Sequence, residues 1–195
     1  MKEVLLAFIP IFVAMDAVGV LPFFLSFTEG MDEEKRRHVI RDSIFTAFSV
    51  GVGFLLLGKI VFRFLGVTVS DFKVGGGLIL LIVAVRDILF AEKGQRPPGE
   101  TIGVVPLGVP LIVGPAVMTT LLICHDLYGF WITLLSFMAN LGFTWFVFKE
   151  AEKLTRVLGE SGIRGVAKVT SLLLAAIAVM MIRKGLMEMM GLKGG

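Results

Sequence analysis

Six stretches of this chain are long and apolar enough to cross a lipid bilayer, and this feature leaves few other folds open. They cover residues 4–28, 43–65, 72–90, 102–124, 127–148 and 169–191, and hold 25, 23, 19, 23, 22 and 23 residues. A helix rises about 1.5 Å per residue and needs roughly 20 residues to cross a hydrocarbon core about 30 Å thick. All six fit, the third with least to spare. They use 135 of the 195 residues and leave 60 for termini and connections, too few for a second domain. Transmembrane barrel strands are excluded, because they give short alternating segments and not long apolar runs. The charge content agrees: 18% of residues are charged and 56% hydrophobic, whereas a soluble domain carries charge on about a quarter of its residues. The expected fold is all-α, a single transmembrane domain over 1–195 with six membrane-spanning helices.

Several function classes drop out. The first stretch starts weakly basic, Lys2 being offset by Glu3. It exceeds the hydrophobic core of a signal peptide and has no clear small-x-small cleavage site after it, so an uncleaved helix is expected. Cys124 is the single cysteine, which rules out an intramolecular disulfide and a cysteine metal cluster. His38 and His125 are too separate to suggest a metal site and fit membrane-surface positions. The net charge of +3 comes from basic residues beside the apolar stretches, where anionic lipid headgroups explain them without nucleic acid. No nucleotide-binding or hydrolase signature occurs, and Gly75-Gly76-Gly77 lies inside an apolar stretch with no lysine placed to follow a phosphate loop. No nucleophile–base pair stands at catalytic spacing. The chain is therefore expected not to be an enzyme and to need no cofactor, a coupling sodium ion or proton aside. Expected partners are the bilayer and a small solute.

Loop charges suggest an orientation. Loops 29–42, 91–101 and 149–168 share one side and carry 11 basic residues, and Arg86 near the third stretch makes 12. The opposite side has seven: Lys2, Lys59, Arg63, Lys73, Arg183, Lys184 and Lys193. The positive-inside rule then puts loop 91–101 in the cytoplasm and both termini outside. Within 31–42, Asp32, Glu33 and Glu34 precede the basic residues, the order that suits a helix dipole, so a short helix should lead into the second stretch. In 149–168, Leu154, Val157 and Leu158 recur at helical spacing, and an interfacial helix ending near Gly159 is expected.

The halves 1–90 and 102–191 resemble each other weakly. Asp16-Ala17 aligns with Gly114-Pro115 at an offset of 98, and Arg86-Asp87 with Arg183-Lys184 at 97. The second and fifth stretches are expected to break this register, because the connections are 14 then 6 residues in the first half and 2 then 20 in the second. Three spans per half is an odd number, so the halves would cross the membrane in opposite directions, as a 3+3 inverted repeat.

Asp16 lies in the middle of the first stretch, too short to snorkel to a headgroup. It must face protein or a water-filled cavity, either as a cation- or proton-binding group or as a structural hydrogen-bonding partner. Pro10, Gly19 and Pro22 surround it, and the fourth stretch repeats the pattern with Pro106, Pro110, Gly114 and Pro115, followed by Thr119 and Thr120. A proline removes a backbone donor and frees a carbonyl one turn earlier. Such groups persist at membrane depth only under cover of protein or water. Stretches one and four are thus expected to be kinked or broken. Half-helix N-termini suit a carboxylate and half-helix C-termini a cation, so the two breaks together suit a zwitterion. The substrate-site candidates are Asp16, Ala17, Gly19, Gly114, Pro115, Ala116, Thr119, Thr120 and Asn140, with Asp16 the candidate for cation coupling. Asn140 and Ser136 one turn before it should face the bundle, as interhelical glue or as a ligand contact. Thr46 and Ser49 could line the same interior. The small groups Gly51/Gly53 and Gly75-Gly76-Gly77 read as close-packing sites, and the long cationic side chains near helix ends, Arg86 and Arg183 included, as headgroup anchors.

The chain also resembles the MarC family of inner-membrane proteins over nearly its whole length. The resemblance rests on Asp16-Ala17-Val18-Gly19 with Pro22 and Phe23-Phe24, then Thr28-Glu29-Gly30, Phe64-Leu65-Gly66-Val67, Phe72-Lys73-Val74-Gly75-Gly76-Gly77, Ala84-Val85-Arg86, and the run from Pro106-Leu107-Gly108-Val109-Pro110 through Gly114-Pro115-Ala116 to Thr119-Thr120. It departs from the family pattern at Ala17, where proline is usual, and at Ala116, where a second glycine is usual. The resemblance implies a six-span inner-membrane protein, grouped with neutral amino acid transporters in a broader LysE-like superfamily. It also implies kinship to sodium- or proton-coupled carriers of small neutral amino acids such as glycine and alanine. Secondary transport of a small solute is the expected function. Export of another small metabolite is the first alternative. A non-transporting structural or assembly protein is the second, and it calls for unbroken, well-packed first and fourth spans.

Overall fold

The computed structural model describes residues 2–90 and 102–191. The connection 91–101 with Lys93 and Arg96 lies outside the described residues, as does Lys193. So do the side chains of Lys59, Arg63, Arg86, Asp87, Leu154, Arg156, Val157, Leu158, Arg164 and Lys168. The described chain is helical: α1 (Lys2–Met15), α2 (Ala17–Phe27), α3 (Glu33–Leu65), α4 (Val69–Phe90), a π-type segment (Gly103–Ile112), α5 (Pro115–Tyr128) and α6 (Phe130–Met189). Among the described residues, three lengths are apolar and long enough to cross a membrane: Lys2–Phe27, Glu33–Gly58 and Phe130–Ala151. A fourth is the bent pair Gly103–Ile112 and Pro115–Tyr128, whose axes meet at 57°.

Local chemistry sets the helix ends. Asp32 accepts a hydrogen bond from the Lys35 N–H at 2.8 Å, and Glu33 and Glu34 follow in the first turn. This cap starts α3, so the short helix expected over 31–42 is the beginning of one 33-residue helix. Gly66, at φ 64°, ends it in the left-handed conformation that glycine adopts without steric cost. Thr68 and Asp71 then form a reciprocal box. The Asp71 carboxylate accepts from the Thr68 N–H at 2.6 Å, and the Thr68 hydroxyl oxygen accepts from the Asp71 N–H at 3.2 Å, which starts α4.

Contacts fix the helix directions. Ser136 donates to the Val4 carbonyl and Asn140 to the Phe8 carbonyl, while Phe12 meets Phe143 and Phe24 stacks on Phe148, so α1–α2 run parallel to the start of α6. Gly103 lies on Val39–Ser43, Gly108 on Thr46, and Leu122 on Gly58, so the π-type segment and α5 run parallel to α3. Cys124 lies against the Ala7 carbonyl, which joins α5 to α1. Gly185 against Ser70 and Gly77 against Ala178 make α4 antiparallel to the end of α6.

The 60 helical residues of α6 are not one rod. Drawn straight, the stretch from Phe137 to Ala178 would span on the order of 60 Å. Yet Phe137 touches Gly51, Thr46 of the same helix touches Gly108, Pro110 touches Gly76, and Gly77 touches Ala178. A relay this short places both ends of that stretch in one bundle, so the helical path reverses between them. Helical residues also continue past Gly159, where the sequence suggested an end.

The glycines divide by function in packing. A Cβ on Gly77 would sit 2.9 Å from the Ala178 carbonyl and 3.1 Å from the Ile182 nitrogen, both backbone atoms that cannot rotate away, whereas one on Gly53 would meet nothing within 4 Å. Gly77→Ala is expected to destabilise the protein by about 1–3 kcal/mol, and Gly53→Ala to be neutral or to stabilise it by up to ~1 kcal/mol. Thermal denaturation in detergent measures both; equal midpoints for the two variants would contradict this packing.

Candidate functional site

The first apolar stretch is interrupted at Asp16, which takes the left-handed conformation with φ 43° and ψ 55° and separates α1 from α2. For a non-glycine residue this conformation is rare, and aspartate is one of the few that adopt it, through a local hydrogen bond. Here the carboxylate accepts from the Gly19 N–H at 3.0 Å and caps α2. Gly19 is required for it: a Cβ there would stand 2.2 Å from the Asp16 carboxylate. The Asp16 side chain is exposed on the chain, Ala17 behind it is buried, and Val18 and Gly19 are exposed.

The fourth stretch is interrupted more severely. Pro106 and Pro110 cannot donate, and a residue before proline is driven out of the helical region. Val105 and Val109 are accordingly extended, at φ −131° and −137°. The Leu107 and Val113 N–H groups reach carbonyls five residues back, Ile102 at 3.3 Å and Gly108 at 3.1 Å. The chain straightens at Val113–Gly114 and α5 begins at Pro115. Gly114 has no side chain to cap α5, so the first N–H groups of that helix, on Ala116 and Val117, are left directed at the break.

Cys124 against the Ala7 carbonyl joins α5 to α1, so the helix that follows the second interruption packs on the helix that precedes the first. Beside the second lies a cleft of about 330 Å³ between α4 and the π-type segment. Gly75 and Gly76 of α4 form one wall, and Val109, Pro110, Val113, Gly114, Pro115 and Met118 the other, with Asp71 and Phe72 also lining it. The lining is apolar apart from Asp71 and the backbone at the break. Hydrogen bonds from the Thr68 hydroxyl and then its N–H hold the Asp71 carboxyl below the usual carboxylate range, so an anionic group borders the cleft at neutral pH.

Of the residues singled out in the sequence, Gly114 and Pro115 border this cleft, while Asp16, Ala17 and Gly19 lie at the other interruption. The Thr119 and Thr120 hydroxyls donate to their own helix, to the Pro115 and Ala116 carbonyls, both at 2.8 Å. Asn140 is buried in the contact between α6 and α1. Its amide nitrogen donates to the Phe8 and Ser136 carbonyls at 3.2 and 2.9 Å, and its carbonyl oxygen has no partner. Two contributors to the cleft were missed. The triple glycine read as packing, and Gly77 is closed in by the α6 backbone and Gly76 by Met181 of α6 and by Pro110, while Gly75 is open. Asp71 ended a loop in the reading of the sequence, although Thr68-x-x-Asp71 is a capping-box spacing that marks a fixed carboxylate.

A helical chain with several apolar stretches long enough to cross a membrane, one of them the bent pair, has the makeup of an integral membrane protein. The family pattern described as "MarC family integral membrane protein" matches residues 1–190, and the chain belongs to that family. It is 27% identical to the inner membrane protein YhgN of Escherichia coli (strain K12) over 191 residues, covering 95% of this chain and 97% of that protein. It is 31% identical to a membrane protein of Aquifex aeolicus over 200 residues (94% and 92% covered), and 27% identical to one of Methanocaldococcus jannaschii over 194 residues (93% and 95%). No solved structure matches.

Loss of the Asp16 cap should cost about 0.5–2 kcal/mol, so Asp16→Ala is expected to lower the unfolding midpoint while Asp16→Asn, which can still accept from Gly19, changes it little. Gly19→Ala should act like Asp16→Ala, and the double variant should be no worse than either alone. Additive losses would contradict the cap.

Proposed function

We infer that the chain is a secondary active transporter of a small solute, best read as a small neutral amino acid such as glycine or alanine, and a carrier rather than an enzyme. The observation that carries this is the cleft at the uncapped start of α5. Backbone N–H groups at a helix N-terminus suit a carboxylate. The anionic Asp71 suits an ammonium group, and the glycine wall leaves room for a short side chain. On this reading Gly114, Pro115 and Ala116 hold the substrate, with Thr119 and Thr120 one turn further along α5. Asp16, flanked by Ala17 and Gly19, binds the coupling sodium ion or proton, and Asn140 holds α1 in place.

Six crossings in a 3+3 inverted repeat fit this function, because alternating access needs two halves that rock about a shared site. Three observations support that arrangement. The interruptions at 16 and 114 lie 98 positions apart. The second and fifth stretches share a pattern at the same offset, Asp42-x-x-Phe45-Thr46-x-Phe48 with Asn140-x-x-Phe143-Thr144-x-Phe146, despite their unequal connections. Moving one partner of the Val4–Ser136 contact forward by 98 and the other back gives Ile102–His38, one residue from the observed Gly103–Val39 contact. Loop charge supports termini on the outer side of a cell membrane.

Export of another small metabolite shares this architecture and differs in substrate. A structural or assembly role calls for unbroken first and fourth spans, and the interruptions at Asp16 and Gly114 count against it. In proteoliposomes, uptake of radiolabelled glycine or alanine is expected to accelerate under an inward sodium or proton gradient. Asp16→Asn should retain exchange and lose gradient dependence. Absence of uptake under every gradient would contradict amino acid transport, and unchanged coupling in Asp16→Asn would remove Asp16 from the mechanism.

A further inference from the structure

The first turns of α4 present two faces. Asp71, Phe72, Gly75 and Gly76 face the cleft. Ser70 and Lys73 instead reach the last turn of α6, where both bind one carboxylate: the Ser70 hydroxyl donates to Glu188 Oε2 at 2.8 Å, and Lys73 Nζ donates to Glu188 Oε1. Beneath this cluster the helices are in backbone contact, since a Cβ on Gly185 would lie 2.7 Å from the Ser70 carbonyl. The ion pairs Asp32–Lys35, Glu33–Arg37 and Glu150–Lys153 are local to one helix or its cap. Lys73–Glu188 joins positions 115 apart and ties the two halves of the chain together. Its side chains are 24% and 43% exposed, so the pair is not sealed within the protein.

We propose that Glu188, through Lys73 and Ser70, is a latch that sets the cleft mouth. It takes the cleft as the substrate site inferred above. With both carboxylate oxygens engaged, the first turn of α4 is held on α6, and Asp71 and Phe72 stand back from α5, as in this structure. Released, that turn is free to move toward Val113–Met118 and cover the glycine wall. Lys73, Ser70 and Glu188 are positioning residues, since they touch α4 and α6 and not the cleft.

The test is the reactivity of a reporter thiol. Gly75→Cys, in a Cys124→Ala background, puts a thiol on the open glycine wall, where an added Cβ meets nothing within 4 Å. Its modification by a membrane-impermeant thiol reagent, in proteoliposomes carrying the whole chain, reports the open mouth. Glu188→Gln and Lys73→Met are expected to slow modification at least fivefold, and the swap Lys73→Glu with Glu188→Lys to restore it to within twofold. Equal rates in all variants would overturn the latch, as would a slow rate that the swap fails to restore while the protein still elutes as a single folded species. Glycine or alanine added to the unlatched and latched proteins tests the substrate site separately. Protection of the thiol supports it, and no protection alongside a swap-restored rate sinks the substrate reading while leaving the latch standing.

Discussion

A backbone N–H or C=O has no partner in hydrocarbon except one supplied by the protein or by enclosed water, and leaving it bare costs several kcal/mol per group. That constraint governs the structure. Most of the described chain meets it with continuous helix. Two places do not, and each is compensated differently. At Asp16 the α2 start is satisfied by a carboxylate from within the break, in a conformation that needs Gly19 beneath it. At Gly114 no side chain is available, and the uncapped start of α5 lies beside a cleft. The capped break is self-sufficient, and the uncapped one has donors to offer.

The packing follows from these two breaks. The π-type segment is irregular and can lie flat on α3 only because Gly103 and Gly108 let the backbones approach; a Cβ at either would stand 2.8 Å from an α3 side chain. On the other side, α6 holds α1 by polar side chains directed at α1 itself: Ser136 and Asn140 bind its carbonyls, and Thr144 meets the Met15 sulfur at 3.2 Å. One interrupted span is thus held by close backbone contact and the other by hydrogen bonds. The second arrangement leaves the Asn140 carbonyl oxygen unpaired inside the bundle, a cost carried by the contact that holds the simpler break.

Much of this was legible in the sequence because it depends on local chemistry. Prolines and glycines within long apolar stretches announce both interruptions, and the acid-then-base order after Asp32 announces the start of α3. The parts that were not legible depend on contacts between distant residues. Gly75 and Gly76 carry no side chain to signal that one face of α4 lines a cleft while Gly77 is packed on α6. Thr119 and Thr120 read as cavity hydroxyls, and each donates to the carbonyl four residues back, as a helical threonine can, a bond the sequence does not announce. The connection lengths suggested that the second and fifth stretches lose the offset of 98, and the helices that hold them start at Glu33 and Phe130, 97 positions apart. Loop length measures the path between helices and says little about register within them.

The inverted repeat proposed above requires both interruptions to lie at one depth inside the bilayer, with polar access to each. Nitroxide labels at Val18 and Ala116, both exposed and 98 positions apart, measure this directly in a Cys124→Ala background. Collision rates with oxygen and with a water-soluble nickel chelate give depth and polar access for each label. Equal depths near the bilayer centre are expected, with nickel collision rates above those of lipid-facing labels at that depth. Depths that differ by more than one helical turn, about 5 Å, or labels reached by oxygen alone, would contradict it.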